Sequence, residues 1–316
     1  MKKFVILFIS LFLFCFDLKT LANSEFNSGN EAKLYNAVYN NDYDKVIKLT
    51  NKGIDVNFTN AYEHTPLNTA IQNKNYKMVE ILISKGADVN YKTPLAIAID
   101  NEDLKIAELL IKNGADVNYK YKTGSTILSN TASFSNSDFV KLLLDNGADP
   151  NLKDNTGDTA LIWAAYNGRV ENGKLLIAWK ANINTQNKEG MTALHNAVLR
   201  CQIDFIKLLL NNKASVNILD NNGNTPLHYA TIFYANIPDI VDLLIKNGAK
   251  VNVQNKYGLT PLHCALKNGN IPVAKALIKA GANKDIKDNQ GNTAFDIAAD
   301  SEKAISDLFE IIRISK

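Results

Sequence analysis

Cysteine, histidine and tryptophan are scarce, at three, four and two residues in a chain of 316. So few cysteines do not frame a disulfide-dense scaffold. The few histidines and cysteines show no metal-ligand spacing, and no nucleophile with its base appears apart from recurring phrases of the chain, one of which holds His263 next to Cys264. An excess of one charge is missing as well. Formal net charge is +3, and the first 22 residues hold Lys2, Lys3, Lys19 and Asp17, leaving 32 basic against 31 acidic residues beyond them. A balance near +1 leaves no electrostatic footprint for nucleic acid, so none is expected as a partner. Phosphate-cradling glycine loops are absent, because the Gly-Ala and Asn-Gly pairs recur at turn positions along the chain. Asn221-Asn222-Gly223-Asn224 and Asp154-Asn155-Thr156-Gly157 resemble fragments of a calcium loop. They lack its spaced acidic ligands and closing glutamate, and read as turns.

Long apolar runs are also missing, with one exception. Lys2-Lys3 precedes an apolar run from Phe4 to Phe16, thirteen residues long with Ser10 as its one polar member. That suits the core of a secretory signal and falls short of the roughly 20 residues a spanning helix needs. Thr20-Leu21-Ala22 offers small residues where a signal peptidase reads, so residues 1–22 are expected to be a signal peptide and 23–31 a short linker. An uncleaved anchor is the alternative. Cys15 follows Leu13-Phe14 rather than the small residues of a lipoprotein signal. No stable membrane span is expected once the signal is removed.

What the sequence has in abundance is self-similarity. Thr65, Thr93, Thr126, Thr159, Thr192, Thr225, Thr260 and Thr293 follow one another at intervals of 28, 33, 33, 33, 33, 35 and 33 residues. A second phrase keeps step: Gly86-Ala87-Asp88-Val89-Asn90, Gly114-Ala115-Asp116-Val117-Asn118, Gly147-Ala148-Asp149-Pro150-Asn151 and Gly248-Ala249-Lys250-Val251-Asn252. From Thr260, the residues Leu262, Ala265 and Leu266 form one apolar helix face, with Pro261 at the helix start. Asn268-Gly269-Asn270 breaks that helix. A second carries Val273, Ala274, Leu277 and Ile278 and stops at Gly281, and Asp288 and Gly291 then suit a tight projecting hairpin. No such unit covers its own apolar side, so neighbours must stack.

The period of 33 with Thr225-Pro226-Leu227-His228-Tyr229-Ala230 and Thr260-Pro261-Leu262-His263-Cys264-Ala265 resembles the ankyrin repeat, over about Glu31 to Lys316. The resemblance implies an all-α solenoid of about nine helix-turn-helix units with projecting β-hairpin loops. Residues 32–64 would form an amino-terminal cap, 65–292 seven repeats and 293–316 a carboxy-terminal cap, with Phe295, Ile297, Ala298, Ile305, Leu308 and Ile311 as its apolar set. The short interval after Asn90 predicts a clipped hairpin, and the long one after Thr225 a lengthened turn at Ile232 to Asn236. Lys180 and Lys213 replace the glycine that ends the second helix, which predicts a less stable middle of the array.

The resemblance also implies a structural role for His195, His228 and His263, each hydrogen-bonded to backbone near the turn. His64 reads as a lone exposed imidazole. Cys201 and Cys264 fall two units apart, and at about 10 Å per helix layer they exceed the roughly 7 Å that a disulfide spans between Cα atoms. Both are expected to be free thiols. No catalytic residue, cofactor or metal is expected.

The family habit implies a monomeric binder of another protein through its concave helix and hairpin surface. Candidate contacts are Tyr62, Trp163, Tyr166, Arg200, Tyr229, Phe233 and Tyr257, since aromatic and arginine side chains anchor interfaces. The alternative for Trp163 and Tyr229 is packing between adjacent first helices. The lysine pair and Phe-, Leu- and Ile-rich run resemble a bacterial export signal, giving two expectations, a host-directed factor or a periplasmic scaffold. Amino-terminal sequencing of the exported protein is expected to begin at Asn23; a start at Met1 would support the anchor.

Overall fold

The structure is a computed structural model and describes residues 29–60, 62–134, 136–232 and 238–298. The expected signal segment, most of the linker, the lengthened turn beyond Ile232, and Ile305, Leu308 and Ile311 of the expected cap lie outside the described residues. Seventeen helices are present among those described. They fall into two compact units that divide after Asp116.

In the first unit the helices are α1 (Asn30–Tyr39), α2 (Tyr43–Thr50), α3 (Pro66–Gln72), α4 (Tyr76–Ser84), α5 (Pro94–Asp100) and α6 (Leu104–Lys112). The second unit contains α7 (Ile127–Phe134), α8 (Ser137–Asp145), α9 (Ala160–Tyr166), α10 (Val170–Ala178), α11 (Ala193–Leu199) and α12 (Ile203–Asn211). It continues with α13 (Pro226–Tyr229), α14 (Pro238–Lys246), α15 (Pro261–Lys267), α16 (Ile271–Lys279) and α17 (Ala294–Ala298). Eight helix pairs and a ninth first helix are therefore present; the partner of α17 would fall outside the described residues.

Within each unit the first helices pack in one layer and the second helices in another, α1 on α3 on α5 and α7 through α17 by alternate helices. Apolar residues at corresponding positions of the helices make the seam, Leu262 and Leu277 of the repeat from Thr260 among them. Leu34, Val46, Leu67, Leu82, Ile106, Leu128, Leu143, Leu161, Leu209, Leu262 and Leu277 are all buried. At about 25 cal/mol per Å² of apolar surface, this seam is the main stabilising term. Packing is close enough that Gly173 of α10 is required: a Cβ there would lie 2.6 Å from the Phe205 ring.

The projecting loops are hairpin-shaped turns without paired strands. Among the described residues the only β pairing is two isolated bridges, Lys120 with Thr126 and Lys287 with Thr293. An aspartate or asparagine opens six of these turns, and its Oδ1 accepts the N–H groups two and four residues on, as Asp154 does from Thr156 and Asp158 at 2.8 Å each. This is the chemistry that favours Asx residues at turns. In the second unit successive turns also clasp each other through backbone: Lys188 N–H donates to Thr156 O, Asn221 to Glu189 O, Lys256 to Asn222 O and Asn289 to Tyr257 O. Gly190 must be glycine on two counts, a φ of +79° and a would-be Cβ 2.6 Å from the Asn221 nitrogen.

The clipped loop is present as Tyr91 and Lys92. Its cost is local: Lys92 and Thr93 both take positive φ, and Thr93 does not cap α5 with its hydroxyl, whereas Thr65 caps α3. Lys180 and Lys213 do adopt the left-handed region, at φ 63° and 65°. The expectation of a weaker middle nevertheless needs correction. Asn41, Glu63, Lys74, Lys92, Thr93 and Glu102 in the first unit, and Cys201 in the second, are left-handed too. The strain is spread along the chain: Asn41, Lys74, Glu102 and Cys201 lie in the turn between the two helices of a pair, Glu63 in a projecting turn, and Lys92 and Thr93 in the clipped loop. A left-handed side chain costs about 1–2 kcal/mol, and glycine's extra unfolded entropy returns about half of that. Lys213→Gly is thus expected to stabilise by about 0.5–1 kcal/mol in urea titration.

Candidate functional site

Each first helix after α1 begins at a marker threonine, and the residue three further on decides how well it is capped. At His195, His228 and His263 the ring Nδ1 accepts the backbone N–H of Thr192, Thr225 and Thr260, at 3.1, 3.0 and 3.2 Å. With Nδ1 an acceptor, the proton of the neutral ring sits on Nε2. From there it is donated to a carbonyl of the following repeat: Asn224, Leu259 and Asn292, at 3.3, 3.1 and 3.3 Å. The histidine thus closes its own helix and reaches its neighbour. Ser129 and Asp296 do the first job by other means, accepting the N–H of Thr126 and Thr293. Asn68 does only the second, donating to Lys92 O while its buried Oδ1 finds no partner.

His64 differs from its expected exposed state. It is half-buried and its backbone N–H donates to Asn60 Oδ1 at 2.9 Å. Burial lowers its pKa. Cys201 and Cys264 are free thiols, both raised by burial, Cys264 to about 11. A protonated, half-buried thiol of that kind is a poor nucleophile. No three His, Cys, Asp or Glu side chains converge on a metal position among the described residues. No helix among them is long and apolar enough to cross a membrane.

The candidate contact residues divide by location. Tyr62 stands exposed at a turn tip of the first unit, where its N–H donates to Asn60 Oδ1. Phe233 lies outside the described residues. The others share the second unit, and three of them join. Trp163 and Tyr166 of α9 meet edge to face at 6.1 Å between ring centroids, and the Arg200 guanidinium just past α11 lies 4.5 Å from the Tyr166 centroid. Trp163 and Tyr166 are half-buried and Arg200 is exposed. Cation–π contact holds the guanidinium without neutralising it. Tyr229 of α13 lies edge-on to the His195 ring at 5.9 Å, and Tyr257 is 63% exposed on a turn tip.

Sequence reasoning missed the groups that aim the aromatics. The Trp163 indole N–H donates to Asp154 Oδ2 at 2.8 Å, and the Tyr229 hydroxyl donates to Asp220 Oδ2 at 2.5 Å. Each aspartate therefore shapes its turn with one oxygen and orients a ring on the following helix with the other. Burial works to raise Asp220, but bonds from Tyr229, Asn224 and Asn222 outweigh it and hold the carboxyl below its usual range. Burial, and then Asp220 itself, push the Tyr229 phenol upward. Trp163 and Tyr229 are neither fully packed between helices nor freely exposed; each is anchored at its polar end. Phe134, 63% exposed at the end of α7, was also overlooked because its repeat has no Thr-Pro-Leu-His phrase.

A family model described as ankyrin repeats in three copies matches residues 34–121, 118–187, 174–255 and 232–314. The chain belongs to the ankyrin-repeat family. Among solved structures, the ankyrin repeat domain of Bcl-3, described as a unique member of the IkappaB protein family, superposes with a TM-score of 0.62 at 28% identity. That match covers 70% of this chain and 99% of the other. No curated protein matches the chain. Ankyrin repeats generally mediate protein–protein interaction, and the fold is in general a non-catalytic module.

The histidines give this ankyrin stack a pH dependence with a defined sign. Burial depresses all three, His195 from 6.5 to about 4, with Asp220 the charged group facing His195 and His228, and Asp288 facing His263. Above pH 6.5 both folded and unfolded rings are neutral and the stabilisation is complete. As pH falls the unfolded ring takes its proton first, so stability is lost down to the folded pKa. For His195 the drop corresponds to roughly 3 kcal/mol. Urea midpoints are expected to decline from pH 6.5 toward 4, and His195→Gln to flatten that decline; an equal slope in the variant would disprove the assignment.

Proposed function

We propose that the chain is an exported protein-interaction module that grips a partner through the first-helix face and turn tips of its second unit. The observation that carries this reading is the Trp163, Tyr166 and Arg200 cluster: a charged guanidinium laid on an aromatic ring at the surface, with no carboxylate among the described residues paired to it. Such a group is already ordered, so a partner's carboxylate or carbonyl meets it at reduced entropic cost. Tyr229 is ordered in the same way by Asp220. Membership of the ankyrin-repeat family supports a protein as the partner.

Export rests on the charge and apolar pattern of residues 1–22. The narrower form of the proposal is a bacterial factor directed at host proteins, and the alternative is a periplasmic scaffold for bacterial proteins; cell fractionation separates them. Immobilised protein spanning Asn23 to Lys316 is expected to retain specific proteins from a host or a bacterial lysate. Combining Tyr166→Ala with Arg200→Ala is expected to weaken that retention about tenfold and to shift the melting temperature by less than about 2 °C. Retention of nothing from either lysate, or full retention by the double variant, would overturn the proposal.

A further inference from the structure

One groove in the second unit has a chemistry of its own. It has a volume of about 690 Å³ and opens beside α15, between Tyr229 and Ile297. Pockets of about 300–1,000 Å³ are the size that holds ligand side chains. Its origin lies in one row of first-helix residues that occupy corresponding positions in successive repeats: Trp163, Asn196, Tyr229, Cys264 and Ile297. Where Trp163 and Tyr229 fill their places, the small Cys264 leaves space, and Ile232 and Ile297 supply apolar walls.

The same row explains the charge of the groove. Asp154 and Asp220 each stand nine residues before an aromatic donor, which occupies the second carboxylate oxygen. Asp288 stands nine residues before Ile297, which has no donor to give. Its Oδ1 accepts the N–H groups of Gln290 and Asn292, the Asn292 side chain also bonds the carboxylate, as Asn224 does at Asp220, and no helix side chain among the described residues is recorded bonding it. Asp296 adds a second carboxylate to the lining, against the single ammonium of Lys267. The groove is thus apolar at its floor and net negative at its wall.

Resting on the reading that this face binds a protein, we infer that the groove takes an extended segment of the partner in which a large apolar side chain sits next to a lysine or arginine. The apolar side chain enters the space left by Cys264, and the basic group meets the carboxylate of Asp288. Charge-assisted bonds of this kind carry orientation as well as affinity.

The test pans a displayed octapeptide library against the full chain and against three variants. Cys264→Trp fills the groove with a residue this row already carries at Trp163. Asp288→Asn removes the charge and keeps the turn, since Asn187 and Asn255 open theirs with the same N–H contacts. The third variant is Tyr166→Ala with Arg200→Ala, which leaves the groove intact. Peptides selected on the unmodified chain are expected to pair a large apolar residue with a neighbouring Lys or Arg. Their affinity is expected to fall about tenfold or more with Cys264→Trp, to lose its basic preference with Asp288→Asn, and to persist in the third variant. Thermal unfolding of each variant establishes that it is folded.

No selected peptides, selection without a basic residue, or binding unchanged by Cys264→Trp would overturn the groove. If peptides bind the groove as expected while no partner protein depends on Tyr166 and Arg200, the groove stands and the wider face fails. If partner capture depends on Tyr166 and Arg200 but not on Cys264→Trp, the wider face stands and the groove fails.

Discussion

The asparagine at the end of each repeat phrase spans from one repeat to the next, and the stacking geometry of both units depends on it. Asn57 Nδ2 donates to Gly86 O while its Oδ1 accepts the Asp88 N–H, and Asn90 repeats the pair on Gly114 and Asp116. In the second unit Asn118, Asn151, Asn217 and Asn252 make the same two bonds. One planar amide has its donor and acceptor at a fixed separation, so it sets the distance between repeats as well as joining them. The carbonyl it takes belongs to the residue that ends the second helix. Lys180, in the left-handed conformation of a helix stop, turns its carbonyl to Asn151.

Apolar burial supplies the energy for the stack but little direction, and the polar contacts supply direction at modest net energy. The histidines, the asparagines and the clasped turns each cross one repeat boundary in the second unit. They hold the turn tips in a row and the first helices in register, which places Trp163 and Tyr166 near Arg200, a neighbour from the next repeat. A binding face built this way is as rigid as the repeat contacts beneath it.

Much of this was legible in the sequence, and the exceptions share a cause. The period of 33, the buried faces and the clipped loop follow from spacing along the chain, and the histidine role from the resemblance to the ankyrin repeat. Contacts that cross between repeats do not. Asn90 belongs to a recurring phrase, yet its partner Asp116 lies 26 residues on, a distance with neither helical nor strand periodicity. The nine-residue reach from Asp154 to Trp163 runs through a turn into a helix, where neither period applies. The left-handed conformations of Lys74 and Glu102 were hidden because glycine, the usual signal, is absent there. The partial burial of His64 has no signal in the sequence, where a lone imidazole in a loop reads as surface.

The asparagine bridge always points forward, from a repeat to the one that follows it. The two ends of a unit are therefore chemically unlike: one face of every repeat offers an amide, and the opposite face offers a carbonyl and an N–H. During synthesis each asparagine is made before the helix it will hold, and it waits until about 30 further residues have emerged. Every boundary bridged in this way therefore has the same polarity, and a repeat turned end for end would set amide against amide.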